Sequence, residues 1–247
     1  MSSAGIVLIL AAGQRVGKEV AYKFASNGYK VALVSRTVSD GLSPEGYLNV
    51  KADLSDREAV PRVFKAVEAA LGPPNIVIYN GAKRELTPPD DPLSAPFETI
   101  EACRRIGLDS AYIAAQEALR VFRSLPSSTD TAFIFTGNAL AQIAIPGVLP
   151  FALGKVAAAM LIEYCANAYG KDGYRFYFAD ERMPDGRPAA EGIDGVAHGE
   201  MYWELANEKK QSKWLVTFTK GQGRKEYIGV DFEGNTRASY DEMFGRN

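Results

Sequence analysis

Short apolar runs alternate with longer stretches of helical period from the N-terminus to about residue 220. Residues 6–10 form an apolar run of strand length, and Val16, Val20 and Phe24 then recur at helical spacing until Asn27-Gly28 closes the helix. Strands are predicted at 30–34 and 47–51. A helix follows at 55–71, with Ser55 as cap, Glu58 three residues on as in a capping box, and Gly72-Pro73-Pro74 as its stop. Another apolar run covers 76–79. The Pro- and Asp-rich stretch 88–96 reads as a loop, and 97–124 as one long helix. Strands at 132–135, 175–179 and 214–219 alternate with helices at 151–169 and 196–210. The stretch 183–195, with its prolines and glycines, reads as a loop. Strands linked by crossover helices give an α/β fold, a doubly wound parallel sheet of about seven strands in a single domain. That domain is expected over 1–220. The polar remainder, 221–247 with Tyr227, Phe232 and Phe244, is expected to pack on it or on a neighbouring subunit.

Composition narrows the function classes. The 247 residues are 47% hydrophobic and 23% charged, with a formal net charge of −2, so no basic field favours nucleic acid. One histidine, His198, leaves no His-rich metal site and little scope for a His-based triad. The two cysteines, Cys103 and Cys165, read as free thiols. The first apolar run is too short for a membrane span and no later segment is taken to reach that length, so a cytoplasmic protein without a membrane partner is expected.

The first strand runs into Ala11-Ala12-Gly13-Gln14-Arg15-Val16-Gly17 and then at once into a helix. Glycines there let backbone approach a pyrophosphate, and a helix N-terminus offers free N–H groups. With this turn at the first strand–helix junction, the chain from about Gly5 to Thr219 resembles a short-chain dehydrogenase/reductase, which implies a Rossmann-type domain. The family turn is Thr-Gly-x-x-x-Gly-x-Gly, and Leu10, Ala11, Arg15 and Gly17 stand at its four named places. The resemblance implies cofactor contacts from Gly13, Gln14, Arg15, Val16 and Gly17. It also implies them from Asp53-Leu54 beside the adenine and Asn80-Gly81-Ala82 beside the ribose. After the second strand, Ser35-Arg36 replaces the acid that would select NAD, so NADP(H) is the expected cofactor. Read locally, Arg36 is a solvated strand-end charge.

Family members use Asn, Ser, Tyr and Lys for catalysis. Here Lys155 is retained, where it implies a ribose contact or a catalytic part. Phe151 stands at the tyrosine place, Asn138 at the serine place and Gly107 at the asparagine place. A phenyl ring has no proton to give. Between Tyr112 and Tyr164 there is no tyrosine, so a small shift of register restores nothing. Asp180, Glu181 and Tyr177 are the candidate replacement acids, although carboxylates after a strand are more often solvated loop charges. His198, at a helix start, is either a pocket acid or, as is more usual there, a surface residue. Aromatics such as Phe176, Tyr202 and Trp214 read as core. Two function classes stay open. One is an NADP(H)-dependent reductase with an atypical site for a small organic carbonyl or imine. The other is a non-redox cyclase, isomerase or cofactor-binding protein on the same scaffold. The resemblance also implies a homo-oligomer, dimer or tetramer, packed through the two long helices.

Overall fold

The computed structural model describes residues 5–227. The expected C-terminal extension therefore lies outside the described residues from 228 on, together with Phe232 and Phe244. Nine strands form one sheet: β1 (Ile6–Leu10), β2 (Lys30–Ser35), β3 (Gly41–Leu42), β4 (Leu48–Lys51), β5 (Ile76–Tyr79), β6 (Thr131–Thr136), β7 (Tyr174–Glu181), β8 (Leu215–Thr219) and β9 (Gly223–Arg224). Their order is β3-β4-β2-β1-β5-β6-β7-β8-β9. The seven inner strands run parallel, and only the two-residue edge strands β3 and β9 are antiparallel. Those seven are the ones the hydrophobic pattern predicts. A two-residue edge strand has no period to read.

Alternation along the strands divides the core into two layers. Leu8, Leu10, Phe133, Phe135, Phe176 and Phe178 face α2 (Ala59–Ala70), α4 (Ser110–Ser124) and α5 (Leu149–Tyr169). On the other face Val7, Ile9, Ile134 and Tyr177 pack with α1 (Val16–Ser26) and α6 (Gly195–Asn207).

Several boundaries differ from expectation, each for a local reason. The predicted helix at 97–124 is α3 (Phe97–Arg104), a π-helical turn at Arg105–Asp109, and α4. In that turn Ile106 O accepts the Tyr79 hydroxyl at 2.5 Å and Arg105 O accepts Ser110 Oγ at 3.0 Å. Side chains thus serve carbonyls that the wider turn redirects. The capping box at Ser55 and Glu58 does not form, and α2 starts at Ala59. Asp53 Oδ1 accepts Ser55 N–H at 2.9 Å and Asp56 Oδ1 accepts Glu58 N–H at 3.0 Å, so two aspartate-centred turns precede the helix. Contrary to expectation, Leu149–Asp172 is long and apolar enough to cross a membrane. In the fold it lies against the sheet with Ala158, Ile162 and Ala166 buried. Strand β7 runs on through Asp180 and Glu181, which the sequence reading placed in a loop.

Candidate active site

The strand order reverses between β1 and β5, the place where ligands bind in open α/β sheets. The register Leu10↔Tyr79 brings the two following loops to one edge. Asn80 ties them together. Its N–H donates to Leu10 O at 2.9 Å and its Nδ2 to Ala11 O at 3.0 Å. Beside them Ala12 N–H donates to Val34 O, and Ala52 N–H to Ser35 O, which aligns the ends of β2 and β4 with the same edge. The result is a cleft of about 360 Å³. Gly13 and Gln14 wall it from the first turn, Ser35 and Arg36 from the end of β2, Asp53 and Leu54 after β4, and Asn80, Gly81 and Ala82 after β5. Nine expected cofactor residues, drawn from four separate stretches of chain, thus meet on one cavity. A Cβ built on Gly13 would find only Asn80 Nδ2, at 3.9 Å, so the turn leaves room above it. Ser35 Oγ accepts Thr37 N–H at 3.0 Å. Asp53 is held below the usual carboxylate range, mainly by the Ser55 N–H, with a smaller effect from Arg36. A basic and a hydroxyl group at the end of β2, across the cleft from the Gly13–Gln14 turn, make a donor set suited to phosphates.

Four expected residues are not on this cleft. Arg15 is the residue before α1, and its guanidinium points to Glu191 O at 3.4 Å. Val16 and Gly17 are buried in the first turn of α1. Gly17 serves packing: a Cβ there would stand 2.7 Å from Ala12 Cα. Lys155 is 4% exposed and donates to Thr136 O at 2.7 Å, with its ammonium 4.7 Å from the Phe135 ring centroid. Burial lowers its pKa to about 7, against the opposing pull of Asp180.

A second pocket, of about 160 Å³, opens beyond the ends of β6 and β7. The loop after β5 joins the two, contributing Asn80 to Ala82 to the first and Arg84 to the second. Asn138 and Phe151, at the serine and tyrosine places, line this pocket with the apolar Leu140, Ile145 and Val148. Asn138 Oδ1 caps a short 3-10 turn by accepting Leu140 N–H at 3.2 Å. Gly107, at the asparagine place, does not reach the pocket. It packs on α5, where a Cβ would meet Gly154 Cα at 3.1 Å.

For Glu181 and His198 the sequence leaves a buried pocket acid open beside the more common solvated charge, and the structure buries both. The side chains of Glu181 and His198 are 3% and 1% exposed, with Glu181 Oε2 3.4 Å from His198 Nδ1. Glu181 Oε2 also accepts Asp194 N–H at 2.8 Å, and His198 Nδ1 lies 2.8 Å from Asp194 O. Burial raises the Glu181 pKa to about 7, opposed first by the Asp194 N–H and then by Lys220, while the Asp194 and Asp180 carboxylates add smaller contributions to the rise. Burial lowers the His198 pKa to about 4, so the imidazole is neutral at pH 7. A signal for His198 did exist in the sequence. His198, Met201, Tyr202 and Leu205 share the i, i+3, i+4, i+7 face that α6 buries. Next along β7, Asp180 is buried and bound to Arg182 Nε at 2.6 Å. Burial raises the Asp180 pKa to about 6, and the guanidinium keeps the carboxylate ionised at pH 7. Tyr177, the third candidate acid, is committed elsewhere, its hydroxyl donating to Glu208 Oε2 at 2.5 Å.

The family model described as short chain dehydrogenase matches residues 5–178. Short chain dehydrogenase/reductase dmxR12 of Cryptosporiopsis sp. (strain 8999) is 38% identical over 233 residues, which span 90% of this chain and 94% of that protein. Among solved structures, an NADH-dependent reductase A1-R' responsible for alginate metabolism superposes with a TM-score of 0.77 at 16% identity, covering 89% of this chain and 97% of the other. ElxO with NADP bound superposes with a TM-score of 0.74 at 15% identity, covering 88% and 98%.

Proposed function

The chain belongs to the short-chain dehydrogenase family, and from that premise we propose that it is an NADP(H)-dependent reductase of a small organic carbonyl or imine. The observation that carries the reading is the convergence of nine expected cofactor residues on the cleft at the strand-order reversal, with an apolar pocket beside it. When bound, the reduced nicotinamide supplies a hydride. The turn at Gly13 and Gln14 receives the pyrophosphate, Asp53 and Leu54 flank the adenine, and Asn80 to Ala82 flank the ribose. Ser35 and Arg36 bind a 2′-phosphate. The fold neighbours include one NADH-dependent and one NADP-bound protein, so the choice of NADP(H) rests on this chain's own residues. The buried Lys155 acts on the site through Thr136 O and the Phe151 ring (5.7 Å to its centroid). The small apolar pocket excludes water around the reacting group.

The test is thermal unfolding with NADPH or NADH. At about 100 times Kd a ligand adds about 2.7 kcal/mol, a rise of roughly 5–10 °C for a domain of this size. NADPH is expected to give that rise at a lower concentration than NADH, and Arg36→Leu to erase the difference. Equal response to both nucleotides sinks the NADP assignment, and response to neither sinks the reductase reading. Phe151 in place of tyrosine favours a second reading, a non-redox cyclase or isomerase that uses the pocket for shape alone. That reading predicts turnover without NADPH oxidation. The two free thiols, Cys103 and Cys165, support a cytoplasmic location. A homo-oligomer built on α4 and α5 is supported by the exposed Tyr112, Leu153, Val156, Met160 and Tyr164.

A further inference from the structure

We propose that Glu181, held by the N–H of the α6 N-cap residue Asp194 and packed against His198, is the proton donor of the second pocket and fills the role left by Phe151. The proposal rests on the reductase reading. Its geometry is that of a built site. Glu181 sits on the last residue of β7, paired in register with Phe218, so the strand itself fixes the carboxyl group. Oε2 is taken by Asp194 N–H. Among the described residues Oε1 makes no hydrogen bond, and Glu181 lines the same cavity as Asn138 and Phe151. The acidic proton therefore belongs on Oε1, in the pocket.

His198 has a positioning role. It sits edge-on to Tyr202 and Phe218, with ring centroids 5.5 and 5.1 Å away. That packing holds a neutral imidazole against Glu181, where a cation would draw the proton off. Charges around Glu181 come from several sides: Asp180 on β7 and Arg182 just after it, Asp194 at the N-cap of α6, Lys220 after β8, and Arg84 and Glu191 across the cavity. Lys220 is paired with Asp194 at 2.6 Å. Arg182 is paired with Asp180 and Arg84 with Glu191.

The reaction balances. The carbonyl carbon gains a hydride, with its electron pair, from the reduced dinucleotide, which is thereby oxidised. The C=O π pair moves onto oxygen and takes the Glu181 proton as the carboxyl O–H bond breaks. Glu181 is left as a carboxylate and is reprotonated by a proton from bulk solvent, so one carbonyl, one reduced dinucleotide and one solvent proton give one alcohol and one oxidised dinucleotide.

The protein's single histidine makes the test direct. In ¹⁵N-histidine-labelled protein, the His198 ring signals are expected to stay those of a neutral imidazole from pH 8 to pH 5.5. They are expected to inflect near pH 7 as Glu181 titrates beside them. Glu181→Gln, which can still accept the Asp194 N–H, removes the inflection, and Glu181→Asp keeps one. A second measurement follows NADPH oxidation with 1-phenyl-1,2-propanedione as probe. Glu181→Gln is expected to lower the rate by about 10²–10⁴-fold, the usual contribution of a general acid, with the Kd for NADPH unchanged. The wild-type rate falls as pH rises through 7. A missing inflection, an inflection that survives Glu181→Gln, a wild type silent on the diketone, or a Glu181→Gln rate equal to wild type each overturns the proposal. Absence of NADPH binding overturns the reductase reading itself. NADPH binding with an unaffected Glu181→Gln variant overturns the proton donor alone.

Discussion

Ala11 holds φ 58° at the place where the family turn has glycine. A left-handed conformation costs a residue with a Cβ about 1–2 kcal/mol, while glycine's greater unfolded freedom takes back about 0.5–1 kcal/mol. Ala11→Gly is therefore expected to raise stability by up to about 1 kcal/mol and Tm by about 2–4 °C, measured by calorimetry. A lower Tm refutes the claim of strain at this turn. Lys155 makes a second prediction at this scale. Its pKa falls from 10.5 unfolded to about 7 folded, so between these values the unfolded chain binds more protons. Stability should thus rise as pH increases from 7 to 9. Cys165, raised to about 11 by burial, acts in the opposite direction only above pH 9. Urea midpoints at pH 7 and 9 should show the rise in wild type and lose it in Lys155→Met. A rise that persists in the variant assigns the titration to another group.

Among the elements, the π turn between α3 and α4 accounts for the residue at the asparagine place. Gly107 in that turn and Gly154 on α5 meet backbone to backbone, so α3–α4 and α5 approach more closely than side chains permit. Restoring the family residue by Gly107→Asn overpacks this contact and is expected to cost about 1–3 kcal/mol, seen as a fall of several degrees in Tm. Full stability in that variant contradicts the close approach. Phe151→Tyr carries no such conflict, because Phe151 lies on a pocket wall. Glu181 and His198 shape stability in opposite senses. Glu181, raised from 4.5 to about 7, favours the folded state at low pH and loses that advantage as pH rises across this range. His198, lowered from 6.5 to about 4, disfavours it at low pH and recovers as pH rises to 6.5. Asp180, raised from 3.8 to about 6, acts in the same sense as Glu181, so the three groups together should make stability fall as pH rises from 4.5 to 6. Glu181→Gln should flatten that fall, and a slope unchanged by the variant would show that Glu181 does not titrate as assigned.

For the whole molecule, the exposed stripe Leu153, Val156, Met160 and Tyr164 along α5, next to Tyr112 of α4, is apolar surface on the long helices. Sedimentation velocity at micromolar concentration should show a dimer or tetramer, and Val156→Glu with Met160→Glu should yield the 26.8 kDa monomer. A monomeric wild type removes the assembly. The architecture was legible in the sequence because period-2 and period-3.6 patterns are local: the seven parallel strands, five helical segments of which the structure divides one into α3 and α4, and the strand ends and loops carrying Gly13, Ser35, Asp53 and Asn80. That Phe151 carries no hydroxyl is plain from its residue type, while its standing at the tyrosine place remains an expectation of the register. Where Lys155 points, why Gly107 is glycine, and that Glu181 and His198 are buried together were not. The two residues lie on different elements and meet only because β7 and α6 pack together, and burial, which sets their charge states, belongs to the assembled molecule. Sequence alone determined the scaffold and the side chains available to it. Tertiary structure alone decided which carboxyl group lines the pocket, because desolvation and hydrogen-bond geometry come from residues distant in the chain.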